Sequence, residues 1–115
     1  MHELGIMNEI LKTAIGVAEK NSGKKVTKIT LRIGAMSGVV PRICASMLEV
    51  IAEGTIAEGC EVVIEEVPAV FKCIDCGAET SYDEPGPEYK CHACGSETLR
   101  LVAGHKFQLV NVGII

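Results

Sequence analysis

Between residues 4 and 18 the apolar positions Leu4, Met7, Leu11, Ala14 and Ala18 recur at three- and four-residue intervals, and Ile6, Ile10, Ile15 and Val17 widen the stripe. That period predicts an amphipathic helix beginning almost at the first residue. Asn21-Ser22-Gly23 stops it, with Gly23 suited to the left-handed C′ position. From 26 to 33 the period changes to two. Ile29, Leu31 and Ile33 fall on one face and Lys28, Thr30 and Arg32 on the other, which predicts a half-buried strand with a solvated face. After the turn-rich residues 34–38, Pro41 opens a second helix in which Ile43, Met47 and Ile51 fall at i, i+4 and i+8 with Leu48 beside them. Gly54 ends that helix. Residues 60–67, rich in Val and Ile, predict a second strand closed by Pro68, and residues 106–114 a third, after a break at Gly104.

Residues 69–103 differ in character, with four cysteines and the turn-former run Asp83-Glu84-Pro85-Gly86-Pro87. The element order is helix, strand, helix, strand, cysteine lobe, strand. A strand after the lobe makes the lobe an insertion, and the last strand returns to the first domain. The expected class is α+β: two helices on a three-stranded mixed or antiparallel sheet, built from 1–68 plus 104–115, with a zinc-ribbon-like lobe at 69–103.

Composition narrows the picture. Hydrophobic residues make up 48% and charged ones 23% of the 115, as in a globular chain. Aromatic residues are only 3% and Trp is absent, so aliphatic side chains must build the core. No apolar run approaches the ~20 residues of a membrane span. Glu3 stands where a signal peptide would be basic, and Glu9 and Lys12 interrupt any apolar segment. A cytoplasmic protein is expected, and in that compartment thiols stay reduced. The six cysteines then read as metal ligands plus spectators. The net charge of −4 argues against nucleic acid as a partner.

Cys73-Ile-Asp-Cys76-Gly77 and Cys91-His-Ala-Cys94-Gly95 are separated by fourteen residues between the inner cysteines. Each Cys-x-x-Cys presents two sulfurs from one tight knuckle, and the following glycine permits a positive φ there. Two facing knuckles supply four thiolates in a tetrahedron, which suits one structural zinc ion per chain with no position left open for catalysis. A rubredoxin-like iron site shares this ligand set. His92, inside the second knuckle, reads as a solvated loop residue. Cys44 and Cys60, on apolar patterns, read as core. His105 reads as surface or core filler.

Met1-His2-Glu3 carries a second metal chemistry. A histidine at position 2 can chelate through the terminal amine, its own amide nitrogen and its imidazole, a nitrogen set that suits nickel(II) or copper(II). The plainer alternative is an exposed terminal histidine.

The Met-His-Glu start, the helix directly after it, the segment Gly34-Ala35-Met36-Ser37-Gly38-Val39-Val40-Pro41, the Glu53-Gly54-Thr55 helix end and the paired Cys-x-x-Cys units occur here in one order. Together they resemble the HypA/HybF family of hydrogenase nickel-insertion accessory proteins, over essentially the whole chain. The resemblance implies a nickel-binding α/β domain with an inserted zinc lobe. It implies that His2, with the Met1 amine and the backbone around Glu3, binds nickel(II) as cargo, and that Cys73, Cys76, Cys91 and Cys94 bind zinc. It further implies a metallochaperone, not an enzyme, that delivers nickel to the large subunit of [NiFe] hydrogenase with the GTPase HypB. Exchange of the C-terminal strand between protomers would give a homodimer. Gly5, where members often carry Ser or another polar residue, and the absence of an acidic C-terminal ending depart from the pattern. The rival reading is a zinc-ribbon regulatory or nucleic-acid-binding module, which explains the cysteines and leaves Met-His-Glu unexplained.

Overall fold

The computed structural model describes residues 2–82 and 89–115, and the side chain of His2 is not among the described atoms. The run from Asp83 to Pro87 thus lies outside the described residues, as does Met1. The elements are α1 (His2–Lys20), β1 (Val26–Gly34), α2 (Pro41–Ile51), β2 (Glu61–Val67), β3 (Ala69–Cys73), β4 (Glu79–Tyr82), β5 (Leu99–Ala103) and β6 (Phe107–Ile114). The chain divides into two compact units: Met1–Arg32, Val40–Glu65 and Gln108–Ile115 form the first, Ile33–Val39 and Glu66–Phe107 the second.

The first sheet has the order β2-β1-β6. Lys25 and Ile115 exchange backbone hydrogen bonds at one end of β1 while the Gly34 N–H reaches the Lys106 carbonyl at the other, so β6 runs antiparallel to β1. Val26 donates to Ile56 and Ala35 to Val67, so the two chains ascend together and β2 is parallel to β1. A parallel pair needs a crossover, and α2 supplies it. The sheet is therefore mixed.

The α1 stripe is real: Met7, Ala14 and Ala18 are completely buried and Leu11 nearly so, whereas Leu4 is exposed. The helix does not end as its sequence predicts. Ser22, not Gly23, takes the left-handed conformation, with φ 57°. The Gly23 N–H donates to the Ala18 carbonyl at 2.7 Å and the Ser22 N–H to Glu19 at 3.2 Å, a Schellman ending with Ser22 at C′. Gly23 is needed for space instead, because a Cβ there would lie 3.1 Å from the Ala18 carbonyl oxygen and 3.2 Å from Ile114. Left-handed backbone costs an L-residue about 1–2 kcal/mol, and added unfolded-chain freedom offsets about half of any gain from glycine. Ser22→Gly should therefore raise stability by roughly 0.5–1 kcal/mol, read from urea unfolding followed by helix circular dichroism.

Two faces also differ from expectation. Thr30, expected on the solvated side of β1, is buried, because β1 is the central strand and is flanked on both edges. On α2 the buried residues are Cys44 and Leu48, while Ile43 is 40% exposed. The apolar positions of α2 span a broad arc, and packing against α1 selects the line through 44 and 48. Cys60, expected in a strand and in the core, is half-buried and lies just before β2.

The second unit has its own sheet, ordered β4-β3-β5, with both neighbours antiparallel to β3. Phe71, Tyr82 and Tyr89 form its apolar cluster, with ring centroids 4.9 to 5.7 Å apart. The Tyr82 hydroxyl donates to the Lys90 carbonyl at 2.8 Å and accepts from the Lys90 N–H at 3.1 Å. Within this unit two glycines meet: a Cβ on Gly34 would lie 2.2 Å from the Gly104 carbonyl oxygen, and one on Gly104, at φ 88°, 2.4 Å from that of Pro68. The chain break at Gly104 is thus a close backbone crossing as well as a turn.

Candidate metal centre

The two knuckles repeat one local design. The Cys73 N–H donates to Ala78 at 2.8 Å and the Gly77 N–H to Cys73 at 2.9 Å; the Cys91 N–H donates to Ser96 at 2.8 Å and the Gly95 N–H to Cys91 at 2.9 Å. Gly77 and Gly95 have φ values of 81° and 76°, the positive values their place after the second cysteine predicts. Each turn aims N–H groups at sulfur: Cys76 N lies 3.5 Å from Cys73 Sγ, and Ala93 N 3.4 Å from Cys91 Sγ.

The structure brings the four predicted sulfurs together. All lie within 4.8 Å of one another, with Cys73 and Cys94 3.6 Å apart and Cys76 and Cys91 3.5 Å apart. Zinc–sulfur bonds of about 2.3 Å in a tetrahedron place sulfurs about 3.8 Å apart, so the donor set fits such an ion closely. Cys73 and Cys91 are buried; Cys76 and Cys94 are exposed.

The thiols divide in the same way. The N–H groups of Cys94 and Ala93 pull the Cys91 thiol down to about 6 against the effect of burial. Cys73 is lowered too, chiefly by the Cys76 N–H. At Cys94 the Ser96 N–H favours the thiolate, but the Cys73 thiol, burial and the remaining two thiols outweigh it and push the group up to about 12. At Cys76 the Ala78 N–H lowers the pKa, yet Cys91, burial and Cys73 together leave it raised. Four adjacent sulfurs cannot all carry charge without a cation, and a divalent ion removes that conflict.

A pH prediction follows from these directions. At pH 8 Cys91 is already ionised, whereas Cys94 and Cys76 hold their protons, so zinc uptake should release fewer than four protons per ion. Calorimetry in buffers of different ionisation enthalpy measures the number, and release of four would contradict it. Affinity should fall with acidification and most steeply once pH drops through about 6, where Cys91 gains its proton.

Among the described residues, the other candidates do not join this cluster. Met1 is outside the described residues, and only the backbone of His2 is described, in the first turn of α1. Glu3 follows in that turn. His92 is exposed, as expected, and its Nε2 lies 3.0 Å from the Glu79 carbonyl oxygen. His105 is exposed. Two residues that sequence reasoning passed over also matter at the centre, Asp75 and Ser96, whose side chains hydrogen-bond across the two knuckles. Their only signal in the sequence was their position inside and directly after the Cys-x-x-Cys-Gly units.

Two helices with two small three-stranded sheets, one of which carries a four-cysteine metal-binding site, define a small α+β metal-binding protein. Residues 1–114 match the family model described as hydrogenase/urease nickel incorporation, metallochaperone, hypA. The chain is 35% identical over 115 residues to the hydrogenase maturation factor HypA of Picosynechococcus, covering 100% of both. It is 37% identical over 84 residues to that of Aquifex aeolicus, covering 73% of each. The solution structure of the Ni metallochaperone HypA from Helicobacter pylori shares the fold, with a TM-score of 0.64, 18% identity, and coverage of 98% of this chain and 97% of that one. The chain belongs to the HypA family of nickel-incorporation metallochaperones and hydrogenase maturation factors. Among the described residues no helix is long and apolar enough to cross a membrane.

Proposed function

We propose that this chain carries nickel(II) at its N-terminus and delivers it for maturation of [NiFe] hydrogenase, while zinc holds the four-cysteine centre. The observation that carries this reading is the family match across residues 1–114 on a chain that reads Met1-His2-Glu3. The ligands are the Met1 amine, the His2 amide nitrogen and imidazole, and the backbone around Glu3. Helix α1 begins at His2, and the first-turn N–H groups of a helix receive no carbonyl from the helix itself. The His2 amide therefore need not break a helical hydrogen bond to meet a metal. The positive end of the α1 dipole works against cation binding, which loosens the site in the direction a donor of cargo requires.

Cys73, Cys76, Cys91 and Cys94 bind one structural zinc in this reading. Their closed donor set leaves no open position, so the transferred ion belongs elsewhere. Copper outranks nickel for nitrogen ligands, so selectivity falls to metal supply and to the partners, the hydrogenase large subunit and the GTPase HypB. The setting is the cytoplasm. Self-association would use β6, an edge strand without a charged residue.

Metal analysis of the intact protein beside a form acetylated at its N-terminus tests the assignment. The acetylated form should keep one zinc and lose its nickel. Equal nickel in both would exclude the terminal amine and end the proposal.

A further inference from the structure

The knuckles Cys73-Ile74-Asp75-Cys76-Gly77-Ala78 and Cys91-His92-Ala93-Cys94-Gly95-Ser96 share their length, their glycine and their backbone hydrogen bonds. Laying one on the other matches Asp75 with Ala93 and Ala78 with Ser96. The pseudo-symmetry breaks at one contact. The Ser96 hydroxyl donates to Asp75 Oδ2, while the matching pair, Ala93 and Ala78, has no side-chain polar atom with which to bond.

Ser96 is engaged on several sides. Its carbonyl accepts the Cys91 N–H at 2.8 Å, its N–H bonds to the Cys94 sulfur, and its hydroxyl also accepts the Thr98 N–H at 3.1 Å. Asp75 directly precedes Cys76. The bond therefore ties the chain at Cys76 to the chain just beyond Cys94, and these two cysteines are the exposed pair. A competing ligand must reach an exposed sulfur's bond first, because Cys73 and Cys91 are buried. For the ion to leave, the Cys76 and Cys94 knuckles must then part, and they cannot part while Asp75 and Ser96 remain joined.

We propose that the Asp75–Ser96 hydrogen bond is a latch across the exposed edge of the four-thiolate centre and sets how fast the metal leaves. Neither residue is a ligand; both are positioning residues that act through the backbone of Cys76 and Cys94. The proposal rests on the zinc reading of the four cysteines.

The test is zinc release from the loaded full-length chain into excess EDTA, with zinc content measured beforehand. Wild type should hold one zinc; its absence would defeat the zinc reading itself. Given loaded protein, Ser96→Ala and Asp75→Ala should each release zinc roughly tenfold faster or more, the usual scale for groups that support metal ligands. The double variant should be no faster than Ser96→Ala alone, because Asp75→Ala removes only a bond that Ser96→Ala has already removed. Ser96→Thr, which keeps the hydroxyl, should stay within about threefold of wild type. Wild-type release from both alanine variants would overturn the latch. So would an effect of Ser96→Ala that persists at full size in the Asp75→Ala background.

Discussion

Stripping zinc, or replacing Cys91 with Ser, should unfold the second unit and leave the helical unit folded. The second unit has little else to hold it. Its fully or nearly buried apolar side chains among the described residues are few: Ile33, Val39, Ala69, Phe71 and the cysteines Cys73 and Cys91 themselves. Strand β4 alternates between exposed and half-buried residues, as does β5. The contacts among Phe71, Tyr82 and Tyr89 contribute about 0.5–1.5 kcal/mol per pair beyond their area burial. Structural zinc contributes on the order of 10–16 kcal/mol in small peptides, several times as much. The first unit has an independent core: Met7, Ala14 and Ala18 from α1, Val26, Ile29 and Leu31 from β1, and Cys44 and Leu48 from α2. Native-state amide exchange resolves the two outcomes. On chelation the amides of β3 and β5 should lose protection while those of α1 and α2 keep theirs. Persistent protection of β3 in zinc-free protein would show that the aromatic cluster suffices.

His2→Ala should lower nickel affinity by about 100-fold or more, roughly 3 kcal/mol, with zinc still one per chain. Three effects combine. The imidazole is lost outright, the chelate ring it closes is lost with it, and the remaining amine competes with protons alone. The reference pKa values of about 8 for the amine and about 6.5 for the imidazole set the pH course. Both groups must be deprotonated to bind, so wild-type affinity should weaken as pH falls through that interval. The helix should not suffer, since position 2 is in its first turn and the buried stripe begins at Met7. Nickel titration by calorimetry, with helix circular dichroism beside it, separates lost binding from lost folding. Unchanged nickel affinity in this variant would rule out the N-terminal site, and the cargo would have to be held elsewhere.

The sequence by itself determined whatever depends on near neighbours along the chain. The three- and four-residue spacing of Met7, Leu11, Ala14 and Ala18 sufficed to place the buried face of α1, because helix geometry is local. The knuckles were equally legible: two cysteines three apart followed by glycine make one turn, and Gly77 and Gly95 have the positive φ that turn requires. Pro41 marked the start of α2 for the same reason. Tertiary structure alone decided which face of a broad apolar arc is buried on α2, because that depends on the partner helix. It decided the burial of Thr30 through two flanking strands that arrive from distant parts of the chain. At the end of α1 it put Ser22 in the left-handed position and left Gly23 to make room for Ile114, 91 residues further along the sequence. The four cysteines announced themselves by spacing, but the pairing of Asp75 with Ser96 across them did not, since a hydrogen bond between two turns exists only once both turns face each other.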